Sequence, residues 1–228
     1  MNKFTFFQQH VFIGRDLVIV LGGDGTLTSI SHNIDAKTPV MGVNSHPINQ
    51  DPEGSYGFYM DSDIETFSED IQLALSGKAI INHIPRLQAI IDSTSGNRFT
   101  TDPAMNDLLI ANTHQYAPSK YHHRRGDKKC RQQSSGLLYS TWLGQGARLN
   151  HTIDSKTINK LQSRINEGEW TDHYFFVARD IPHKQRVDEP WSWVDWTTES
   201  TILTSDMHRG YVVPDGWDEV HFNRGATI

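Results

Sequence analysis

A glycine-rich turn follows directly behind an apolar run near the start of the chain. Residues 16–20 read DLVIV, which is typical of a buried strand, and LGGDGT comes next. Glycines leave no Cβ between the backbone and a bulky anion, so amide N–H groups can approach phosphate oxygens directly. Asp24 is then the functional side chain of the turn and the predicted catalytic residue. The pattern predicts a phosphotransferase whose phosphate-binding residues are Gly22, Gly23, Gly25 and Thr26.

A tight β-hairpin is the alternative interpretation, because Asp-Gly is a strong hairpin pattern. A hairpin needs a second alternating strand at once, whereas residues 27–34 read LTSISHNI and are polar at half their positions. A new strand is predicted over residues 39–43. This order favours a helix after the turn, beginning near Thr26, whose positive end would favour bound phosphate.

GGDGT behind a strand resembles the superfamily of NAD kinases, diacylglycerol kinases and sphingosine kinases. The turn selects no substrate within that superfamily, but three further segments are similar to NAD kinases, and the matches run in order from about residue 16 to residue 147. In places the chain is closer to the mitochondrial type. Only about fifteen residues precede the strand, so we expect that the first layer of the family is pared down or that a partner subunit completes it.

The first of the three segments carries Asn44 and, after a long loop, the run GFYMD at residues 57–61. In the resemblance this segment passes the dinucleotide, and Phe58 and Tyr59 line the pocket near the adenine and the ribose. A core strand followed by a turn is the alternative for residues 42–44.

The second segment is the pair Asn106-Asp107, where NAD kinases have Asn-Glu. An amide beside a carboxylate can hold both hydroxyls of a ribose, because the carboxylate accepts two O–H bonds while the amide donates and accepts. The alternative is an Asp that only caps a turn.

The third segment, residues 134–148, reads SSGLLYSTWLGQGAR. Ser135 stands where many NAD kinases have Asp, again as in the mitochondrial type. Gly146, Ala147 and Arg148 stand where most have Thr-Ala-Tyr. The adenine pocket implied by the resemblance therefore loses a hydroxyl and an aromatic wall, while Arg148 brings a charge that could meet a phosphate.

Composition restricts the classes of partner. A formal charge of −6 and a pI near 6 give no long-range attraction to nucleic acid or to an anionic membrane. The lone Cys130 cannot form an internal disulfide and suits a reducing compartment. The N-terminal residues do not resemble a secretory signal. We expect a soluble cytoplasmic protein, with an organelle left open.

The pattern of elements predicts an α/β domain with a parallel sheet over residues 1–82, followed by a β-rich, sandwich-like domain over residues 83–228. In the first domain, a capping box at Ser62 and Glu65 predicts a helix that Gly77 closes; its apolar face is Ile64, Phe67, Ile71 and Leu75. In the second domain the predicted strands cover residues 87–92, 108–111, 136–140 and 174–177, with a turn at Ser95-Gly96-Asn97 and one helix that carries Ile158, Leu161 and Ile165 and ends at Gly168.

Two further segments have competing interpretations. Residues 120–131 read KYHHRRGDKKCR, which could bind phosphate but is more simply an exposed hairpin tip with His122 and His123 on opposite faces. Trp191, Trp193 and Trp196 could stack a base. Period-two spacing instead favours a strand that uses them for packing or for a subunit interface.

The resemblance implies transfer of a phosphoryl group from ATP, or from another phosphate donor, to the adenosine-ribose 2′-hydroxyl of NAD. Asp24 would be the general base, Mg²⁺ or another divalent cation would offset charge, and no metal site built from side chains is expected. The implied assembly is a homodimer or homotetramer. A catalytically silent NAD(P)-binding or sensor protein stays open, and a lipid kinase is a weaker alternative because residues 27–34 lack the expected Glu and Asn-Gly.

Overall fold

The computed structural model describes residues 12–166 and 169–228, which form two compact units. The first unit ends at His83, and the second comprises Ile84–Ile228. Within the described ranges, none of the helices combines the length and the apolar character that crossing a membrane requires.

The first unit is built on a parallel sheet, as the sequence predicts. Its elements in chain order are β1 (Val18–Gly22), α1 (Asp24–Ser31), β2 (Val40–Asn44), β3 (Ser62–Asp63) and α2 (Phe67–Leu75). The strand order is β1-β2-β3, and both pairings are parallel. Because Gly22 pairs with Asn44, the carboxyl ends of β1 and β2 meet at one edge of the sheet. The loops that leave this edge are where α/β sheets usually bind ligands.

The helix α2 begins later than the capping box predicts. Ser62 lies in β3, where it pairs with Val43, and the Asp63 carboxylate accepts the N–H groups of Glu65 and Thr66 at 2.9 and 3.0 Å. This side-chain turn competes with the helix for the same backbone donors. The helical start predicted at Ser62 and Glu65 is therefore wrong, while Gly77 follows the helix with a φ of +69°, as its predicted role requires.

The second unit is rich in antiparallel strands, which confirms the predicted fold class. Its strands are β4 (Ile90–Asp92), β5 (Arg98–Thr100), β6 (Asp107–Asn112), β7 (Ser119–Arg125), β8 (Lys128–Ser134), β9 (Leu137–Thr141), β10 (Tyr174–Ala178), β11 (Val194–Thr197), β12 (Thr201–Ser205), β13 (Arg209–Pro214) and β14 (Val220–Asn223). Its α-helices are α3 (Ser155–Gln162) and α4 (His183–Asp188). Six strands form one sheet in the order β11-β10-β9-β6-β13-β14, three form a second in the order β12-β7-β8, and β4 and β5 form a hairpin.

The six-stranded sheet is covered on both faces, so its central strands are apolar at nearly every position. Phe175 and Val177 of β10 belong to one buried cluster, and Phe176 and Ala178 belong to the other. This division follows from the alternation of side chains along a strand. Ile158 and Leu161 of α3 complete the first cluster; Ile165 lies beyond the end of α3, and Gly168 lies outside the described residues.

The basic segment forms the hairpin β7–β8, with Gly126 at a φ of +54° in its turn. His122 is half-exposed and His123 is buried, as expected for neighbours on opposite faces. The tip is not wholly solvated, because Arg125 is buried and bonds the Asp195 carboxylate at 2.6 Å.

The aromatic segment differs from its prediction. Trp191 lies in a short 3₁₀ turn over Pro190–Ser192, and Trp193 follows it, so only Trp196 belongs to the strand β11. Proline at the start of this turn fixes φ and supplies no N–H to a ladder. Trp196 is buried against Phe175, with ring centroids 4.1 Å apart, which is a packing role.

Candidate functional site

The GGDGT turn joins β1 to α1. Gly22 is the last residue of β1, Gly23 is the extended residue before the helix, and α1 begins at Asp24, two residues earlier than predicted. Gly25 and Thr26 are exposed. At the start of α1 the Asp24 N–H donates to the Ser55 hydroxyl at 3.2 Å and the Thr26 N–H donates to the Gly23 carbonyl at 2.9 Å. The positive end of α1 lies at this turn.

The Asp24 carboxylate is held by two hydrogen bonds. Its Oδ1 accepts the N–H of Tyr59 at 2.8 Å, and its Oδ2 accepts the Ser55 hydroxyl at 3.2 Å. The side chain is half-buried, and none of the ion pairs among the described residues involves it. Each carboxylate oxygen keeps one further acceptor site. A fixed carboxylate with open acceptor sites is equipped to receive a proton from an alcohol.

Asn44, Phe58 and Tyr59 lie near this carboxylate in different ways. Tyr59 contacts Asp24 through its backbone, and the exposed Phe58 ring meets the Tyr59 ring edge-on at 5.2 Å. Asn44 is buried; its amide donates to the Ser55 carbonyl at 3.1 Å and accepts the His46 N–H at 3.1 Å. Asn44 therefore holds the loop that carries Ser55, and the cofactor-binding role predicted for it stays a prediction.

In the second unit, Asp107 and Arg148 form an ion pair. The Arg148 guanidinium donates to Asp107 Oδ1 at 2.8 Å, and the Asp107 side chain is 2% exposed. Burial raises the pKa of Asp107 to about 6, although Arg148 acts in the opposite direction; Asp215 raises it further. Asp107 and Arg148 were predicted from separate segments, and the structure brings them together next to Asn106. The Asp107 carboxylate was predicted to hold a ribose, and here it is bonded to the Arg148 guanidinium.

Asp215 shapes this region, and the sequence did not reveal it. Its carboxylate accepts the N–H groups of Met105, Asn106 and Asp107 at 2.8, 2.8 and 3.0 Å. Asp215 has a φ of +50°, in the turn between β13 and β14. The Asp215-Gly216 dipeptide predicts a turn. Which backbone the carboxylate would bind is not readable from the sequence.

The turn after β9 packs closely against the same segment. The Thr141 hydroxyl donates to the Met105 carbonyl at 2.6 Å, and a Cβ on Gly144 would lie 2.1 Å from the Asn106 carbonyl oxygen. Only glycine allows this approach. Thr141 and Gly144 therefore fix the position of the Asn106-Asp107 pair.

The other predicted residues of the third segment are more scattered. Gly146 is exposed, and Ala147 is half-exposed with its N–H bonded to the Gly144 carbonyl. Ser135 precedes β9, and its N–H donates to the Arg179 carbonyl at 2.8 Å. Arg179 lines the same cavity as Arg148.

A cavity of about 560 Å³ adjoins Arg148 in the second unit. Leu109, Leu138 and Val177 contribute apolar lining from three neighbouring strands. Two more guanidinium groups, Arg179 and Arg186, line it, and Arg186 lies over the Trp193 ring. Asp154 and Asp180 line it as well, so the cavity has apolar walls and charges of both signs.

The first part of the chain matches a known family. Residues 4–79 match the ATP-NAD kinase N-terminal domain. An NADH kinase of Arabidopsis thaliana is 33% identical over 88 residues, which cover 34% of this chain and 28% of that protein. The resemblance inferred from GGDGT and the later segments is thereby confirmed. Over this first part, the chain is similar to the NAD kinases.

Solved NAD kinase structures share the fold of both units. Yeast NADH kinase complexed with NADH superposes with a TM-score of 0.70 and 16% identity, over 93% of this chain and 57% of that one. An NAD kinase from Archaeoglobus fulgidus in complex with ATP gives a TM-score of 0.61 and 15% identity, over 93% of this chain and 72% of that one. The chain thus spans only part of the length of the relatives it matches.

Proposed function

We propose that this protein is an NAD kinase, which transfers a phosphoryl group from ATP to the adenosine-ribose 2′-hydroxyl of NAD to give NADP. The observation that carries the proposal is the Asp24 carboxylate, fixed by Tyr59 and Ser55 at the mouth of a glycine turn and free of an ion pair among the described residues. The relatives named above are NAD(H) kinases, and two solved relatives hold NADH and ATP.

In the proposed step, the phosphoryl group moves from ATP to the 2′-hydroxyl oxygen and the proton of that hydroxyl moves to Asp24. Asp24 accepts the proton of the 2′-hydroxyl while that oxygen forms a bond to the terminal phosphorus of ATP, and the bond from this phosphorus to the bridging oxygen breaks to release ADP. The N–H groups of Gly23 and Gly25 and the Thr26 hydroxyl would bind phosphate oxygens. In the second unit, Asn106 would hydrogen-bond ribose hydroxyls, and Arg148 would meet a phosphate.

In the glycine turn, Asp24 is the carboxylate available to a divalent cation. Among the described residues, no group of three or more His, Cys, Asp or Glu side chains could hold a metal ion. Mg²⁺ in kinases is commonly held by one or two carboxylates together with substrate phosphates. We therefore propose that magnesium enters with ATP, where it would neutralise phosphate charge, and that Asp24 is the carboxylate nearest to it in the turn.

A second candidate function is a catalytically silent NAD(P)-binding protein. The ion pair between the buried Asp107 and the exposed Arg148 favours it, because a carboxylate bonded to a guanidinium has fewer acceptor sites for a ribose. Both candidates would bind NAD, but only the kinase would form NADP, so an activity assay separates them.

The test is formation of NADP by the purified protein from NAD, ATP and magnesium, measured by chromatography. We expect wild-type turnover and a loss of at least about 100-fold in kcat for Asp24→Asn, since general bases contribute on the order of 10²–10⁴. Asp16→Asn is the matched control, because Asp16 is exposed ahead of β1; it should keep wild-type turnover. Calorimetric NAD binding without any NADP would establish the silent protein and overturn the kinase.

A further inference from the structure

We propose that Ser55 is a positioning residue for Asp24, and that its hydroxyl sets the orientation of the carboxylate that receives the proton of the substrate alcohol. The inference rests on the proposed function and deepens it. Ser55 lies 31 residues from Asp24 in sequence, and it belongs to none of the segments that the sequence assigned to catalysis.

The hydrogen bonds around the Ser55 hydroxyl fix its polarity. Its oxygen accepts the N–H groups of Asp24 and Gly57, both at 3.2 Å. A hydroxyl has two acceptor lone pairs and one proton, and a backbone N–H can only donate. The proton is therefore left for Asp24 Oδ2, which lies 3.2 Å from the Ser55 oxygen.

This bond supplies an orientation that the aspartate side chain lacks by itself. The torsion that turns a carboxylate about its Cβ–Cγ bond has a broad, two-fold preference, so neighbouring groups decide it. Tyr59 donates to Oδ1 and Ser55 donates to Oδ2. Two donors on different oxygens set the plane of the carboxylate, and the acceptor sites left open then point in fixed directions.

The segment that carries Ser55 is itself firmly held. The Ser55 N–H donates to the His46 carbonyl at 2.8 Å, and the Ser55 carbonyl accepts the Ile48 N–H at 2.9 Å and the Asn44 amide at 3.1 Å. A Cβ on Gly23 would lie 2.7 Å from the Ser55 Cβ. Glycine at position 23 therefore lets Ser55 rest directly against the turn.

The first test compares Ser55→Ala with the wild-type protein in the NADP assay. We expect kcat to fall tenfold to about 100-fold while KM for NAD stays within about threefold, because a misplaced base weakens the transition state and leaves ground-state binding in place. Ser55→Thr keeps the hydroxyl and should recover most of the loss. Ser76→Ala is the matched control, since that hydroxyl bonds the Leu73 carbonyl at the end of α2; its kcat should match the wild type.

The second test asks whether Ser55 acts through Asp24. In an Asp24→Asn background, Ser55→Ala should cause no further loss of kcat, because the group it positions has been removed. An equal fractional loss in both backgrounds would overturn the inference. So would a Ser55→Ala protein that changes KM alone, or one that keeps the wild-type kcat.

The failure of the proposed function is distinguishable from the failure of this inference. A wild-type protein that forms no NADP disproves the kinase. Ser55 is then judged by crystal structures of the wild-type and Ser55→Ala proteins. A carboxylate of Asp24 that turns away from the Tyr59 N–H in the variant supports the positioning role, and an unchanged orientation refutes it.

Discussion

The protonation of Asp107 makes the free energy of unfolding of the second unit depend on pH. Burial raises the pKa of Asp107 from the ordinary aspartate value of 3.8 to about 6. The folded protein therefore binds this proton more tightly than the unfolded chain, and the free energy of unfolding decreases as pH rises from about 4 through 6. All six tryptophans lie in the second unit, so their fluorescence reports its unfolding alone.

The corresponding prediction uses Asp107→Asn, which mimics the protonated side chain. At pH 8 we expect the free energy of unfolding to rise by about 1–3 kcal/mol, because an ionised group is no longer desolvated. At pH 4.5 the variant and the wild type should agree closely. Urea titrations at both pH values measure this, with the exposed Asp102→Asn as the control. Equal effects at the two pH values would show that Asp107 does not titrate in this range.

Gly25 tests the phosphate-binding role of the turn. A Cβ at this position would meet nothing within 4 Å, and the residue lies in the first turn of α1. Gly25→Ala should therefore keep or raise the stability of the first unit, by up to about 1 kcal/mol. It should also raise KM for ATP about tenfold or more, since the methyl group occupies the approach to the N–H groups. An unchanged KM would mean that phosphate does not approach Gly25.

The sequence revealed the residues of the turn because their chemistry is local. The strand, the glycines and Asp24 are contiguous, so one short segment of the sequence indicates their joint chemistry. Ser55 and Asp215 were missed because their partners lie 31 and about 110 residues away in the chain. Serine and aspartate in loops are common, and nothing nearby in the sequence distinguishes these two.

At the level of elements, the turn between β13 and β14 determines how β6 begins. The three N–H groups bonded by the Asp215 carboxylate include that of Asp107, the first residue of β6. Hydrogen bonds to a charged group contribute about 1.5–3 kcal/mol each, and they are not additive. Asp215 is thus the main side-chain support of the Asn106-Asp107 segment.

Asp215→Asn tests this support. Asparagine tolerates the positive φ, but its amide group presents an N–H where a backbone N–H needs an acceptor. We expect a loss of about 2 kcal/mol in the free energy of unfolding of the second unit, measured by tryptophan fluorescence in urea. Asp102→Ala, in the exposed chain ahead of β6, should lose less than about 0.5 kcal/mol. Comparable losses in the two variants would remove Asp215 from this role.

The predicted elements succeeded where burial alone decides the pattern. The apolar runs of β9 and β10 are buried, and they were recognised as strands. The run in β1 also forms a strand, but the prediction that it is buried holds only for Val18 and Val20, because Ile19 and Leu21 are exposed. The start of α2 was wrong because the Asp63 side chain competes for backbone donors. The strand through Trp191 and Trp193 was wrong because Pro190 begins a 3₁₀ turn. Such competition between side chains and backbone leaves no trace in hydrophobic periodicity.

For the molecule as a whole, Cys130 offers a probe of opening in the second unit. It is the single cysteine of the chain, it is buried in β8, and burial raises its thiol pKa to about 11, with Glu189 adding to the effect. The thiolate is the reactive form, so the native protein should react with a thiol reagent such as DTNB only when β8 opens. Mild urea should accelerate labelling in proportion to the opened population.

This reactivity provides a binding measurement that is independent of turnover. A ligand that binds only the folded state at 100 times its Kd stabilises that state by about 2.7 kcal/mol, which corresponds to a 100-fold lower opened population. Saturating NAD should therefore slow DTNB labelling of Cys130 by up to about 100-fold, and Arg148→Gln should reduce the protection. Adenosine without a phosphate is the control and should protect weakly, because it offers Arg148 no anion. Absence of protection by NAD would count against both the kinase and the silent dinucleotide-binding protein.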